Sequence, residues 1–165
     1  FMSFERIQLF LETNPEYGWV LVFLFGFIES MIITGSFMPS AVLFSLCIYL
    51  YNIELLTLPW ICGIALLGSH VGDVCGFLVG KFIGPSLLNS KFMQKRQKPI
   101  NKTQKFLKRF GPYTVLVGRF IPAIRPIVPF LLGITDLKLK RFYVADLIAC
   151  SLWALALALL VVSVG

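Results

Sequence analysis

Six residues capable of proton or anion chemistry lie inside apolar stretches of this sequence: Glu29, His70, Asp73, Arg119, Arg125 and Asp146. A charged side chain at the centre of a helix in lipid costs about 2.5–3.5 kcal/mol or more, so these groups are expected to face a protein or water-filled interior and to pair. Arg119 and Arg125 flank a break containing Pro122, Pro126 and Pro129, through which no regular helix continues. Two guanidinium forks, with the free backbone N–H groups expected just after Pro126, suit a phosphate. The competing reading is that the arginines only neutralise Glu29 and Asp73. Buried ion pairs are poor net stabilisers, which weighs against it.

His70 and Asp73 are three residues apart and share a helix face. With Glu29 they are expected to exchange protons or to act as charge partners of the arginines. One histidine and scattered carboxylates make a thin ligand set, so neither a metal nor another cofactor is expected. The sequence has no GxSxG, no HExxH, no P-loop and no second histidine to activate a nucleophile, and an enzyme is therefore not expected.

The elements that must position these groups are those of a membrane protein. The 165 residues are 58% hydrophobic and 14% charged, far from the balance of a soluble domain, and read as one membrane domain, 1–165. Residues 58–84 and 142–165 are each long enough to span a bilayer, which takes about 20 helical residues. Residues 18–51, broken between Gly35 and Pro39, and residues 113–135, broken around Pro122, have arms too short for full crossings. Each is expected to form a re-entrant hairpin followed by a long span. Phe37-Met38-Pro39 and Phe120-Ile121-Pro122 echo one another at the two breaks. An all-α protein built from two inverted hairpin-plus-span repeats is the expected architecture, of a kind found in transporters.

Residues 2–12 place Phe4, Ile7 and Leu11 at helical spacing and suit a short helix on the membrane surface. Residues 90–110 form a basic amphipathic linker, whose charges between Lys91 and Arg109 are expected to meet anionic headgroups. Together with Lys81, Lys138, Lys140 and Arg141 they place the basic face on the cytoplasmic side. Gly68, Gly72, Gly76, Gly80 and Gly84 recur every four residues along one helix face. Each destabilises a helix by about 1 kcal/mol relative to alanine, so close helix packing is expected to compensate. Cys47, Cys62, Cys75 and Cys150 have no metal-ligand spacing and read as buried thiols. A cleavable signal peptide is not expected, and the Phe ahead of Met2 with the stop at Gly165 suggests a longer natural chain.

The run Gly118-Arg119-Phe120-Ile121-Pro122-Ala123-Ile124-Arg125-Pro126-Ile127-Val128-Pro129, followed by Gly133, resembles the signature of the DedA family of membrane proteins, part of the VTT-domain superfamily. Gly68-Ser69-His70-Val71-Gly72-Asp73 with Gly76, Gly80 and Gly84 resembles its middle motif, and Phe27-Ile28-Glu29 with Pro39-Ser40 its first hairpin. The likeness extends from about residue 18 to the C-terminus. It implies two oppositely inserted hairpins and lipid movement between leaflets, above all of undecaprenyl phosphate in the bacterial inner membrane, driven by the proton motive force in several members. A phospholipid flippase or scramblase and a cation-coupled small-ion or drug exchanger are the alternatives. Membrane lipids are then the expected partners, and nucleic acid is not. By position, Glu29, Arg119 and Arg125 match charges required in the family, and Asp73 matches a frequent acidic position. Many members carry Gly followed by Asp or Glu after the first-hairpin proline, where this chain has Ser40-Ala41.

Overall fold

A computed structural model describes residues 4–31, 40–88, 109–111, 113–120, 125–135 and 137–164. The described residues are almost entirely helical, with no strand among them. Seven α-helices are used below: α1 Phe4–Thr13, α2 Gly18–Ser30, α3 Ser40–Asn52, α4 Leu58–Leu88, α5 Tyr113–Arg119, α6 Ile127–Gly133 and α7 Leu139–Val164. A single 3-10 turn, Pro15–Tyr17, joins α1 to α2.

The apolar segments Leu58–Gly84 and Leu139–Val164 are long enough to cross a bilayer. α2 and α3, at 13 residues each, are not. α5 and α6 are shorter still, at 7 residues. The arms of both expected hairpins are therefore present as separate helices. The breaks that would join them, with Pro39 and Pro122, lie outside the described residues, as do residues 90–108 of the basic linker. Pro126 and Pro129 sit at the cap and in the first turn of α6, where proline disturbs no helical hydrogen bond.

α4 is the axis of the fold. α2 lies along its first half, α6 along its second, and α7 packs across both. Phe77 stacks on Phe142 at 4.4 Å, while Ile61 and Val161 share the other apolar cluster, so α7 runs antiparallel to α4. The first cluster joins α1, α2, α3, the start of α4 and the end of α7, with Ile7 and Leu11 turned into it. α1 thus uses its apolar stripe to bind protein. The second cluster, around Phe77, Val115, Leu132 and Phe142, joins α4 to α5, α6 and α7.

The glycine stripe makes these crossings close. A Cβ on Gly72 would lie 2.7 Å from the carbonyl oxygen of Phe27, and one on Gly68 would collide with the backbone of Phe23. Gly80 lies as close to the backbone of Phe130, and Gly84 lies against the side chain of Ile134. Gly76, between the two crossings, is looser, with Pro129 at 3.6 Å as its nearest neighbour. Of the four free cysteines, Cys47 and Cys150 are buried, but Cys62 and Cys75 are only half-buried, because they lie beside the packed face of α4 instead of on it.

Candidate functional site

Between the two apolar clusters, near the middle of α4, the fold collects the charged residues of four helices and the start of a fifth. Glu29 lies in the last turn of α2, His70 and Asp73 on α4, Arg119 at the end of α5, Arg125 just ahead of α6 and Asp146 on α7. All six are buried. Burial on this scale requires mutual pairing, and the pairing is dense.

Arg125 forms an ion pair with Glu29 and points its other fork nitrogen at Ser30 Oγ, 3.4 Å away, and Ser69 Oγ, 3.3 Å away. Ser40, the first residue of α3, donates its hydroxyl to the same carboxylate oxygen of Glu29 at 2.5 Å. Arg119 pairs with Asp73 and lies 3.4 Å from Asp146 Oδ1. The other oxygen of Asp146 meets His70 Nδ1 at 2.6 Å and Cys150 Sγ at 3.5 Å. Trp153 of α7 lies under both guanidinium groups, its ring 4.8 Å from Arg125 and 5.5 Å from Arg119. Such cation–π contacts hold two like charges side by side while keeping their forks aimed elsewhere.

The structure thus brings together Glu29, His70, Asp73, Arg119 and Arg125. It adds Asp146 as a full member, along with Ser30, Ser40, Ser69 and Trp153. Asp146 stands out in the sequence as an intramembrane charge, but its partners depend on the antiparallel register of α4 and α7. Ser40 and Ser69 lie within the quoted motifs, but nothing in the sequence marks their hydroxyls, or that of Ser30, as partners of the charges. At Ser40 a hydroxyl reaches Glu29.

His70, Asp146 and Cys150 approach one another within 4.8 Å. Two ligands about 2.0 Å from a tetrahedral zinc ion stand more than about 3 Å apart, whereas the His70–Asp146 separation of 2.6 Å is that of a hydrogen bond. The trio therefore acts as a hydrogen-bonded group.

Among the described residues, two cavities touch the arginines. One, bounded by Asp73, Val115, Arg119, Arg125, Val128 and Pro129, has about 10 Å³, at most the room of one water. The second, of about 240 Å³, reaches both arginines and Ser40 at one end and continues between α3 and α7 along Phe44, Trp153, Leu157 and Leu160. Its shape is amphiphilic, with cationic forks at one end and an apolar trough beyond. Glu29 Oε2, Asp73 Oδ1 and three guanidinium nitrogens, the Nε of each arginine and Nη2 of Arg119, are buried without a partner among the described residues. The site therefore holds unspent hydrogen-bonding capacity of both signs.

Residues 38–163 match the VTT domain. The chain belongs to the VTT domain family. It is 32% identical over 146 residues to an uncharacterized membrane protein of Buchnera aphidicola, covering 87% of this chain and 56% of that protein. It is 30% identical over 149 residues to the inner membrane protein YabI of Escherichia coli, covering 89% and 58%. With the Escherichia coli protein DedA it shares 29% over 152 residues, 87% of this chain and 68% of that one. The chain spans little more than half the length of the first two of these relatives. No solved structure matches it. This family member is a membrane protein, placed in the bacterial inner membrane by its kinship and its two apolar spans. The match covers His70, Asp73, Arg119, Arg125 and Asp146, while Glu29 lies ahead of the matched residues.

Proposed function

We propose that this VTT domain moves a phosphate-bearing lipid across the bacterial inner membrane, with undecaprenyl phosphate as the best substrate, and that it is a transporter and not an enzyme. The observation that supports this reading is the 240 Å³ cavity, which presents two buried guanidinium groups at one end of an apolar trough. Arg119 and Arg125 take the headgroup phosphate, and the prenyl tail stays in the trough or in lipid. A phosphate monoester offers a small, doubly charged group with no other handle, and two forks match it. The re-entrant arrangement belongs to the same proposal. α2 with α3, and α5 with α6, would each enter and leave on one side, so that the two short pairs rock against α4 and α7.

The described arrangement is a closed one. Glu29 and Asp73 each hold one nitrogen of the forks, so a phosphate that engages both arginines competes with them. Two guanidinium charges face three carboxylates, which leaves the cluster short of positive charge unless His70 or a carboxylate holds a proton. Binding an anion here therefore calls for proton uptake, which couples lipid movement to the proton motive force. The same excess of carboxylate favours one rival, a cation-coupled exchanger of small ions or drugs in which Glu29, Asp73 and Asp146 hold the cation. Proton or sodium flux in vesicles without headgroup-dependent binding would establish that rival.

The deciding measurement is binding of the purified protein, in detergent, to undecaprenyl phosphate, to phosphatidylethanolamine and to a tail-matched neutral lipid. Arg119→Lys and Arg125→Lys keep the charge but lose the fork, and each is expected to weaken phosphate binding by about 1.5–3 kcal/mol, or roughly 10- to 150-fold. Unchanged affinity in folded lysine variants would overturn the phosphate clamp. The orientation is checked separately. In a cysteine-free background a cysteine at Asn14 should react with impermeant thiol reagent in intact cells, and one at Lys98 should not. The reverse pattern would turn the protein over in the membrane.

A further inference from the structure

A groove of about 540 Å³ lies between the first turns of α5 and the first turns of α7, and it shares no lining residue with the arginine cavity. Its mouth carries Lys138, Lys140 and Arg141, and none of its described lining residues is acidic. Below the mouth the walls are Leu116, Val144, Ala145 and Ile148, with Tyr113 at the rim. Lys140, Val144 and Ile148 are spaced four apart and form one stripe on α7, and Arg141 with Ala145 forms the adjoining one. From Lys138 to Ile148 the groove runs about 15 Å along the helix at 1.5 Å per residue.

Tyr113, Val144 and Ile148 are 72%, 51% and 50% exposed, so the packed core does not claim this surface. Its polarity runs in one direction, three cations at the helix start and then aliphatic walls, as in an amphiphile with an anionic head. Asp146 and Cys150, on the opposite face of α7, belong to the charged cluster and do not line the groove.

We propose that this groove is a binding site for one acidic glycerophospholipid of the surrounding leaflet, distinct from the transport site. The phosphodiester sits among Lys138, Lys140 and Arg141, Tyr113 contacts the interfacial region, and an acyl chain lies along Leu116, Val144 and Ile148. The bound lipid bridges α5 to α7, and α5 carries Arg119 at its inner end.

Native mass spectrometry of the purified full chain in neutral detergent tests this, with phosphatidylglycerol and acyl-matched phosphatidylcholine added in turn. One phosphatidylglycerol is expected to be retained in preference to phosphatidylcholine. Each charge removed in the series Lys138→Gln, Lys140→Gln, Arg141→Gln is expected to weaken retention about fivefold. If the triple variant does not fold, Val144→Phe fills the groove while keeping its charges, and is expected to lower retention of phosphatidylglycerol by itself. Arg119→Lys is expected to leave this preference intact. Equal retention of both lipids, retention unaffected by the glutamine series and by Val144→Phe, or a preference lost in Arg119→Lys would overturn the proposal. The last outcome would place the lipid in the arginine cavity.

Discussion

The two arginines share a tryptophan face but live in different electrostatic company. Arg125 has one carboxylate, Glu29, and is otherwise held by the hydroxyls of Ser30 and Ser69. Arg119 faces two carboxylates, and the second of them, Asp146, is tied to His70. Hydroxyls can donate to a phosphate as readily as they accept from an arginine, so the Arg125 pole can exchange its partner with little rearrangement. Asp73 and Asp146 can do nothing with a phosphate except repel it until one of them is protonated. Arg125 is therefore the pole that first meets the lipid, and Arg119 the pole at which charge must be rebalanced.

The sharpest way to break this comparison is to remove one arginine at a time. Arg125→Met leaves Glu29 buried and unpaired, which typically costs about 3–5 kcal/mol. Arg119→Met strands two carboxylates with only His70 beside them, and is expected to lower the thermal unfolding temperature further than Arg125→Met in the same detergent. Equal losses would show that Asp146 does not belong to the Arg119 pole.

Removing carboxylates probes the same asymmetry with smaller effects. Glu29→Gln takes away the carboxylate paired with Arg125 and is expected to tighten undecaprenyl phosphate binding by about 1.5–3 kcal/mol while stopping transport, because the release step loses its partner. Asp73→Asn leaves Asp146 3.4 Å from Arg119, so its gain in affinity should be smaller. Titrating lipid into both variants decides the order. A larger gain in Asp73→Asn would reverse the assignment of the entry pole.

Much of this was legible in the sequence for a physical reason. Charges are so costly in lipid that Glu29, Asp73, Arg119, Arg125 and Asp146 stand out against apolar neighbours, and length alone picks out the two spans. Partnership was not legible. That His70 bonds to Asp146, 76 positions away, follows from where α7 crosses α4, and no local pattern encodes that register. That Ser40 and Ser69 bond to the charged groups stayed hidden because serine is commonplace in membrane helices. The stripe from Gly68 to Gly84 reads as one uniform feature in the sequence, yet it serves two separate crossings.

That division of the stripe allows a last test, since it sets the Arg125 pole on a tightly held helix and the Arg119 pole on a looser stretch. Gly72 lies against Phe27 and Ser30 of α2, which flank Glu29, the partner of Arg125. A methyl group there meets the Phe27 carbonyl and the Ser30 Cβ at 2.7 Å, and backbone cannot move aside as a flexible side chain does. Gly72→Ala is expected to destabilise by about 1–3 kcal/mol and to disturb Glu29 with it. At Gly76 the nearest atom is 3.6 Å away, ordinary contact, so alanine there should instead recover part of the 0.5–1 kcal/mol or so that glycine costs a helix. Regular spacing alone would make the two substitutions equivalent. Thermal stability of the two variants, followed by their affinity for undecaprenyl phosphate, separates the cases. Gly76→Ala should be slightly more stable than the parent protein and match it in affinity, and Gly72→Ala should fall below it in both. A Gly72→Ala protein as stable as the parent but unable to bind lipid would move that glycine from packing into the substrate path.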